Sequence, residues 1–480
     1  MPTAKVVVKW KKEKYELDID TDEAALVLKY QLFSLAGVEP ARQTLMCKGA
    51  TLKDDTILNT LKIKDGSVLL MTGSVGELPQ PPEEETRFVE TMTDQELAET
   101  LKLPTGLKNL GNTCYLNATL QCLRIMPELQ ESLNNYNEPQ INLTSSLRNL
   151  YRQLNQTTDG YAPEEFVRTL RVAFPQFAEQ RNHMYMQQDA DECWTVIVSN
   201  LQNPSISPPN NQQDMNIDDA SASTSSGSSS VPAKRYVEQY MMGRYTVTPK
   251  KDESSGAASA VTSESFSRLS CHISNTTNYM FTGILQDLDE SGRRISRLPH
   301  YLTIHFVRHR WKETTKVNAK ILRKVKFTLD LDVTDFCTDE LKAKLTPVKN
   351  KLIEYEKHKA DVKKQLAVGK NVDEKEKAEL QEKLAAEAEE VKKLIDPELA
   401  QDVGANVTGL YELGAVLTHR GRLADSGHYM AWVRQEDSDN WIKYDDDKVQ
   451  AVTEEEILKL DGGGDWHIAY ILLYRSRKIA

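Results

Sequence analysis

The chain has 480 residues, with 60 basic and 71 acidic side chains and a net charge of −11. That balance argues against nucleic acid as the main partner and suits a ligand carrying a basic patch. No apolar run approaches the roughly 18 to 20 residues of a membrane helix, so no membrane span is expected. The six cysteines (Cys47, Cys114, Cys122, Cys193, Cys271 and Cys337) are scattered without a CxxC pair. Neither a disulfide framework nor a metal site is expected, and no cofactor is implied. Thiols kept reduced, with no signal-peptide pattern, point to the cytoplasm or nucleus.

Residues 4–75 read as one small domain. Lys5–Trp10 and Lys14–Ile19 are strand-like segments joined by a tight polar turn. Thr21 and Asp22 are placed to cap a helix that runs from Ala24 toward Gly37, a residue suited to a helix C-terminus. Two more strands follow, Thr44–Cys47 and Ser67–Met71. This ββαββ order is similar to ubiquitin, a β-grasp fold, but 72–78 holds no terminal Gly-Gly pair. Docking is therefore the expected task, not conjugation. Strict alternation on the last strand, with Val68 and Leu70 turned inward, would leave Leu69 and Met71 outward beside Met46 as an apolar patch.

Residues 76–103, with Pro79, Pro81, Pro82 and Glu83–Glu85, read as an acidic linker. A second domain, α+β in class, is predicted over 104–476. It opens on Gly106-Leu-Lys-Asn-Leu-Gly-Asn-Thr-Cys-Tyr-Leu-Asn117, which sets Cys114 between a Gly/Asn turn and an apolar helical stretch. The positive end of a helix favours thiolate over thiol, and the Asn109 amide is a donor suited to a developing oxyanion. Further on lies the polar run Gln187-Gln-Asp-Ala-Asp-Glu192. Two Ser-rich segments, 203–232 with added Pro and Asn and the shorter 250–264, read as disordered insertions. The insertion 338–400 reads as an antiparallel helical hairpin with one charged face. Its first helix is expected to start at Thr346–Pro347 and its second to be capped by Asp373 with Glu376, closing at Asp396–Pro397.

A thiolate needs a base. His428 lies where a Gly/Ser loop, Gly421 to Gly427, runs into a strand, and Trp441–Asp445 forms the next strand. The intervening turn is centred near 437 and the midpoint of 428 and 445 is 436.5, so His428 and Asp445 should face each other on a hairpin. An aspartate there would fix the imidazole tautomer and steady the imidazolium.

The run around Cys114, the Gln187–Glu192 run, Gly427-His-Tyr-x-x-Trp and Trp441-x-Lys-Tyr-Asp-Asp together resemble the boxes of the ubiquitin-specific proteases. The resemblance spans about 105–475 apart from the insertions. With the ubiquitin-like domain, the chain closely resembles the proteasome-associated branch of that family. It implies a papain-like core of fingers, palm and thumb, with Cys114 as nucleophile, His428 as base, Asp445 as orienter and Asn109 as oxyanion donor. It further implies that Gln188, Asp189 and Glu192 line the channel for the ubiquitin tail, with Ser426 on the adjoining loop. Many members hold a zinc between two CxxC pairs, whereas here Cys271 stands alone. The implied partners are ubiquitin, polyubiquitin conjugates and the 26S proteasome regulatory particle, the last through the ubiquitin-like domain. A second reading makes the chain a ubiquitin-binding regulatory scaffold with little activity. The intact Cys, His, Asp and Asn set argues against it.

Overall fold

The chain divides into two units, Met1–Thr91 and Met92–Ala480, in the computed structural model. The structure describes residues 3–61, 63–73, 104–203, 205–206, 208, 235–248, 261–312, 317–368, 374–423, 426–435, 438–464 and 467–479. The linker expected over 76–103 lies outside them, as does the insertion expected over 203–232 apart from 203, 205, 206 and 208.

In the first unit, β1 (Thr3–Trp10), β2 (Glu13–Asp20), β3 (Thr44–Cys47), β4 (Ala50–Leu52) and β5 (Ser67–Thr72) form a sheet of order β2-β1-β5-β3-β4. Alternate residues Ala4, Val6, Val8 and Trp10 of β1 are buried, and α1 (Ala25–Ala36) adds Ala25, Leu28 and Leu32 to the same core. This is the expected β-grasp. The helix stops at Gly37, whose φ of 65° allows its N–H to reach the Phe33 carbonyl at 2.9 Å. Its start differs from expectation. Thr21 and Asp22 do not cap it, because the first amides of α1 are taken by backbone carbonyls: Ala25 N–H donates to Thr56 and Leu26 N–H to Asp54.

The phase of β5 is also opposite to expectation. Leu69 and Met71 are buried (0% and 1% exposed), while Val68 and Leu70 are exposed at 49% and 48%. The cause is the neighbouring strand. In parallel register, Val8 lies beside Leu69 and Trp10 beside Met71, and residues side by side in a sheet share a face. Leu45 and Cys47 of β3, also buried, pair with Met71 and Leu69. The outward apolar set is therefore Val68 and Leu70 with the half-buried Met46, which pairs with Leu70.

The second unit begins with helices α2 (Cys114–Leu123), α3 (Pro127–Asn135), α4 (Leu143–Leu154), α5 (Glu164–Ala173) and α6 (Ala190–Asn200). Their apolar faces share one core, with Leu116, Leu120, Leu147, Phe166 and Trp194 inside. A short ribbon, β6 (Gln180–Arg181) and β7 (Met184–Tyr185), precedes α6. A three-stranded sheet follows in order β11-β8-β9, built from β8 (Gly243–Val247), β9 (Thr262–Phe266) and β11 (Arg293–Arg297). The disordered run expected over 250–264 thus overreaches, since Thr262 already pairs with Val247. The Phe266 ring stacked on Tyr245 at 4.1 Å anchors that strand.

The large sheet has ten strands. Its spine is β10 (Leu269–His272), β12 (Tyr301–Val307), β20 (Ile468–Ser476), β16 (Leu410–Leu423), β17 (Ser426–Arg434), β18 (Trp441–Asp445) and β19 (Lys448–Val452), in that spatial order. The remaining strands are β13 (His309–Lys312), β14 (Val317–Lys320) and β15 (Asp330–Asp332). Helix α2 packs against β16, β17 and β18, which brings Cys114 to the strand bearing His428.

After α7 (Tyr236–Tyr240) and α8 (Met280–Ser291), the insertion forms α9 (Asp339–Val368), α10 (Glu374–Lys393) and α11 (Pro397–Gln401). The helical hairpin is present, but α9 starts at Asp339 and carries Pro347 in its interior. Tertiary packing overrides the local start signal: Leu341, Leu345, Val348, Leu352 and Tyr355 are all buried along one face, so the helix begins before Pro347. Ala388 and Val391 of α10 meet that face, and His358 Nδ1 joins Glu387 Oε2 at 2.7 Å. Asp373, expected to cap α10, lies outside the described residues. Asp396 caps α11, accepting from Glu398 N–H at 2.9 Å.

Candidate active site

Cys114 is the first residue of α2 and is 2% exposed. The turn before it is built from the residues the motif supplies. Gly111 and Asn112 take positive φ, 91° and 54°, which few residue types accept. Asn109 Oδ1 accepts from Gly111 N–H at 3.0 Å and Thr113 N–H at 3.2 Å, and Thr113 Oγ1 accepts from Leu110 N–H at 2.9 Å. Asn112 Nδ2 donates to the Tyr185 carbonyl at 2.9 Å.

His428 Nε2 meets Asp445 Oδ1 at 2.6 Å, so Nδ1 is the nitrogen left for sulfur. The side chains meet as expected, but diagonally rather than face to face. Ala431 pairs with Tyr444 and Arg434 with Trp441, each pair summing to 875. The same register sets position 447 opposite His428 (875 − 428). The loop closes half a residue later than expected, with Gln435 N–H on the Asn440 carbonyl at 2.9 Å and Arg434 bracing Ser438 and Asp439. A diagonal pair remains within reach of long side chains. Hydrogen bonding to Cys114 and to Asp445 outweighs desolvation and pushes His428 up to about 9.

The neighbouring Asp446 was not singled out from sequence, although the doubled Asp of the last box marks it. Its φ of 55° turns the carboxylate back toward the nucleophile helix. Oδ1 accepts from Asn117 Nδ2 at 2.8 Å and Oδ2 from Asn109 Nδ2 at 2.9 Å. Its carbonyl accepts from Leu107 N–H at 2.9 Å. Asp446 therefore ties the cysteine helix and its turn to the histidine hairpin. This alters the reading of Asn109, whose donor faces a carboxylate rather than an open site. The side-chain amide at the sulfur is Gln187, with Nε2 3.2 Å from Cys114 Sγ. Gln187 belongs to a box legible in the sequence, but nothing in its spacing distinguished it from Gln188.

Within that box, Gln188 is half-buried and Glu192 exposed. Asp189 caps α6 by accepting from Asp191 N–H at 2.8 Å, and it also accepts from the Tyr470 hydroxyl at 2.9 Å. Asp191 pairs with Arg268 and is raised by desolvation. Ser426 is exposed, at the start of β17 opposite Leu423. The expected loop Gly421–Gly427 is thus mostly hairpin, irregular between Arg420 and Leu423, with 424–425 outside the described residues. Gly427 has no substitute: at φ 140° an added Cβ would stand 2.2 Å from the Arg420 carbonyl oxygen. Cys271 is buried in β10, where desolvation pushes its thiol up to about 12.

A cysteine at the start of a buried helix, facing a histidine braced by an aspartate on a β-hairpin, defines a papain-type thiol hydrolase. The chain belongs to the ubiquitin carboxyl-terminal hydrolase family, whose model matches residues 105–474. The ubiquitin family model matches residues 6–76. The chain is similar to ubiquitin carboxyl-terminal hydrolase 6 of Schizosaccharomyces pombe, 40% identical over 99% of both chains. It is similar also to ubiquitin carboxyl-terminal hydrolase 6 of Arabidopsis thaliana, 36% identical over 100% of both. Ubiquitin carboxyl-terminal hydrolase 14 of Caenorhabditis elegans is 34% identical over 99% of this chain and 94% of its own. The protein is accordingly a cysteine-type deubiquitinase fused to a ubiquitin-like domain.

Proposed function

We propose that this chain is a thiol isopeptidase that cleaves at the C-terminal glycine of ubiquitin and recycles ubiquitin from proteasome substrates. The observation that carries the chemistry is the 2.6 Å contact of His428 with Asp445 beside Cys114. Cys114 thiolate attacks the glycine carbonyl carbon, and negative charge passes to the carbonyl oxygen. Gln187 is positioned to donate there, and Asn109 can join once it leaves Asp446. As the tetrahedral adduct collapses, the C–N bond breaks and the lysine amine takes the proton held by His428. Water, giving its proton to His428, then attacks the thioester and releases the ubiquitin carboxylate. Asp445 holds the ring throughout. Gln188, Asp189 and Glu192 are the proposed tail contacts, their acidic groups suited to arginines, with Ser426 at the channel's edge.

The ubiquitin-like unit, with its outward Val68, Leu70 and Met46, supports docking to the 26S proteasome regulatory particle in the cytoplasm or nucleus. Cys114→Ala should abolish hydrolysis of a fluorogenic ubiquitin-tail substrate while ubiquitin binding persists. An electrophilic ubiquitin probe should label Cys114 alone. An adduct mapped to any other cysteine overturns the assignment of the nucleophile.

A further inference from the structure

Behind the candidate base lies a second histidine that neither the motifs nor the mechanism uses. His467, one residue before β20, is 6% exposed. Its ring meets His428 edge-on, with centroids 6.1 Å apart and planes at 72°. Three strands converge to hold it there. Thr418 of β16 accepts from Trp432 Nε1 of β17 at 3.0 Å. The Thr418 hydroxyl lies 3.4 Å from both the Met430 carbonyl and His467 Nδ1. The His428 imidazole is bonded at each nitrogen, and both bonds depend on the χ1 and χ2 angles of a half-exposed side chain, which a packed neighbour would restrict.

We propose that His467 is a positioning residue for the base: its buried ring, hung from Thr418, is the wall that holds the His428 imidazole in plane with Asp445 and Cys114. The electrostatics agree with that role. Burial first, and then the charges of His428, Arg420 and Lys320, together lower His467 to about 4 against an opposing pull from Asp445. The ring is neutral at working pH, so His428 can carry its proton beside it without a like charge in contact.

The inference rests on the reading of His428 as the base, and the experiment separates the two. Hydrolysis of the ubiquitin-tail substrate is measured across pH for His428→Ala, His467→Ala, His467→Phe and Thr418→Val. His467→Ala should lose roughly tenfold to hundredfold in kcat with KM unchanged, the scale of a small misplacement of a reacting group. Its basic limb should move toward the ordinary histidine range. His467→Phe should keep most of the rate and the profile, because a ring of similar breadth remains. Thr418→Val should fall between them. Wild-type kcat and profile in His467→Ala overturn the proposal, as does a His467→Phe enzyme as impaired as the alanine variant. Activity retained by His428→Ala would instead overturn the assignment of the base.

Discussion

Asp445 and Asp446 are adjacent in the chain, yet they answer to different parts of the site. Asp445 holds the imidazole at 2.6 Å, and Asp446 holds Asn117 and Asn109 at 2.8 and 2.9 Å. Because His428 is raised to about 9, the basic limb of kcat/KM is expected near pH 9. The same shift contributes stability below about pH 6.5, the unperturbed value, and that contribution is lost as pH rises through about 9. Asp445→Asn should lower kcat by roughly 10²-fold or more and draw the basic limb downward, as a pH–rate series would record. An unmoved limb would mean that Asp445 does not orient the base. Asp446→Ala should lose about 1–3 kcal/mol of stability, because two amide donors lose a shared acceptor. Its kcat should fall as well. Thermal unfolding and hydrolysis together would check this.

That Cys114, His428 and Asp445 meet was legible because each lies in a run with a strong local pattern. Gln187 and Asp446 were less so, because their roles depend on which neighbour a side chain meets across more than 70 residues of sequence in one case and 300 in the other. A repeated residue type, Gln-Gln or Asp-Asp, carries no internal mark of which member points where.

Elements were readable in kind more often than in phase. The run Val68-Leu69-Leu70-Met71 is apolar at every position, so it contains no polar residue to mark the outward face. The phase comes from β1, where Val8 and Trp10 are buried beside Leu69 and Met71. Leu70→Asp should therefore leave the small unit folded and weaken its docking. Leu69→Ala should instead cost about 2–5 kcal/mol of its stability. Chemical denaturation of residues 1–75 and proteasome co-sedimentation of the full chain distinguish the two effects. Pro347 misled for a related reason: a helix-start signal is local, and the buried row Leu341 to Tyr355 is not. At Gly427 the local signal holds. Gly427→Ala, with its Cβ driven toward the Arg420 carbonyl, should displace His428 and lower kcat while ubiquitin affinity persists. Equal rates in the variant and the parent would show that the hairpin yields without moving the histidine.

For the whole molecule, the two units keep separate cores, one of Val6, Val8, Leu28, Leu32 and Leu69, the other spread over helices and the large sheet. Deleting residues 1–75 is thus expected to leave basal hydrolysis intact while association with proteasomes falls sharply. A truncated enzyme that still co-purifies at full stoichiometry would move the docking surface into the second unit.

Strand β20 lies between β12 and β16, and its residues Ile468–Ser476 are buried throughout. A ribosome reaches this stretch more than 350 residues after Cys114 (468 − 114 = 354). At about 5–20 residues per second, that delay is on the order of twenty seconds to a minute. Until then β12 and β16 have no strand between them and His467 is not yet made. A chain that ends before Ile468 is therefore expected to hydrolyse no ubiquitin-tail substrate, and a truncated form that retains turnover would show that β20 is dispensable to the site.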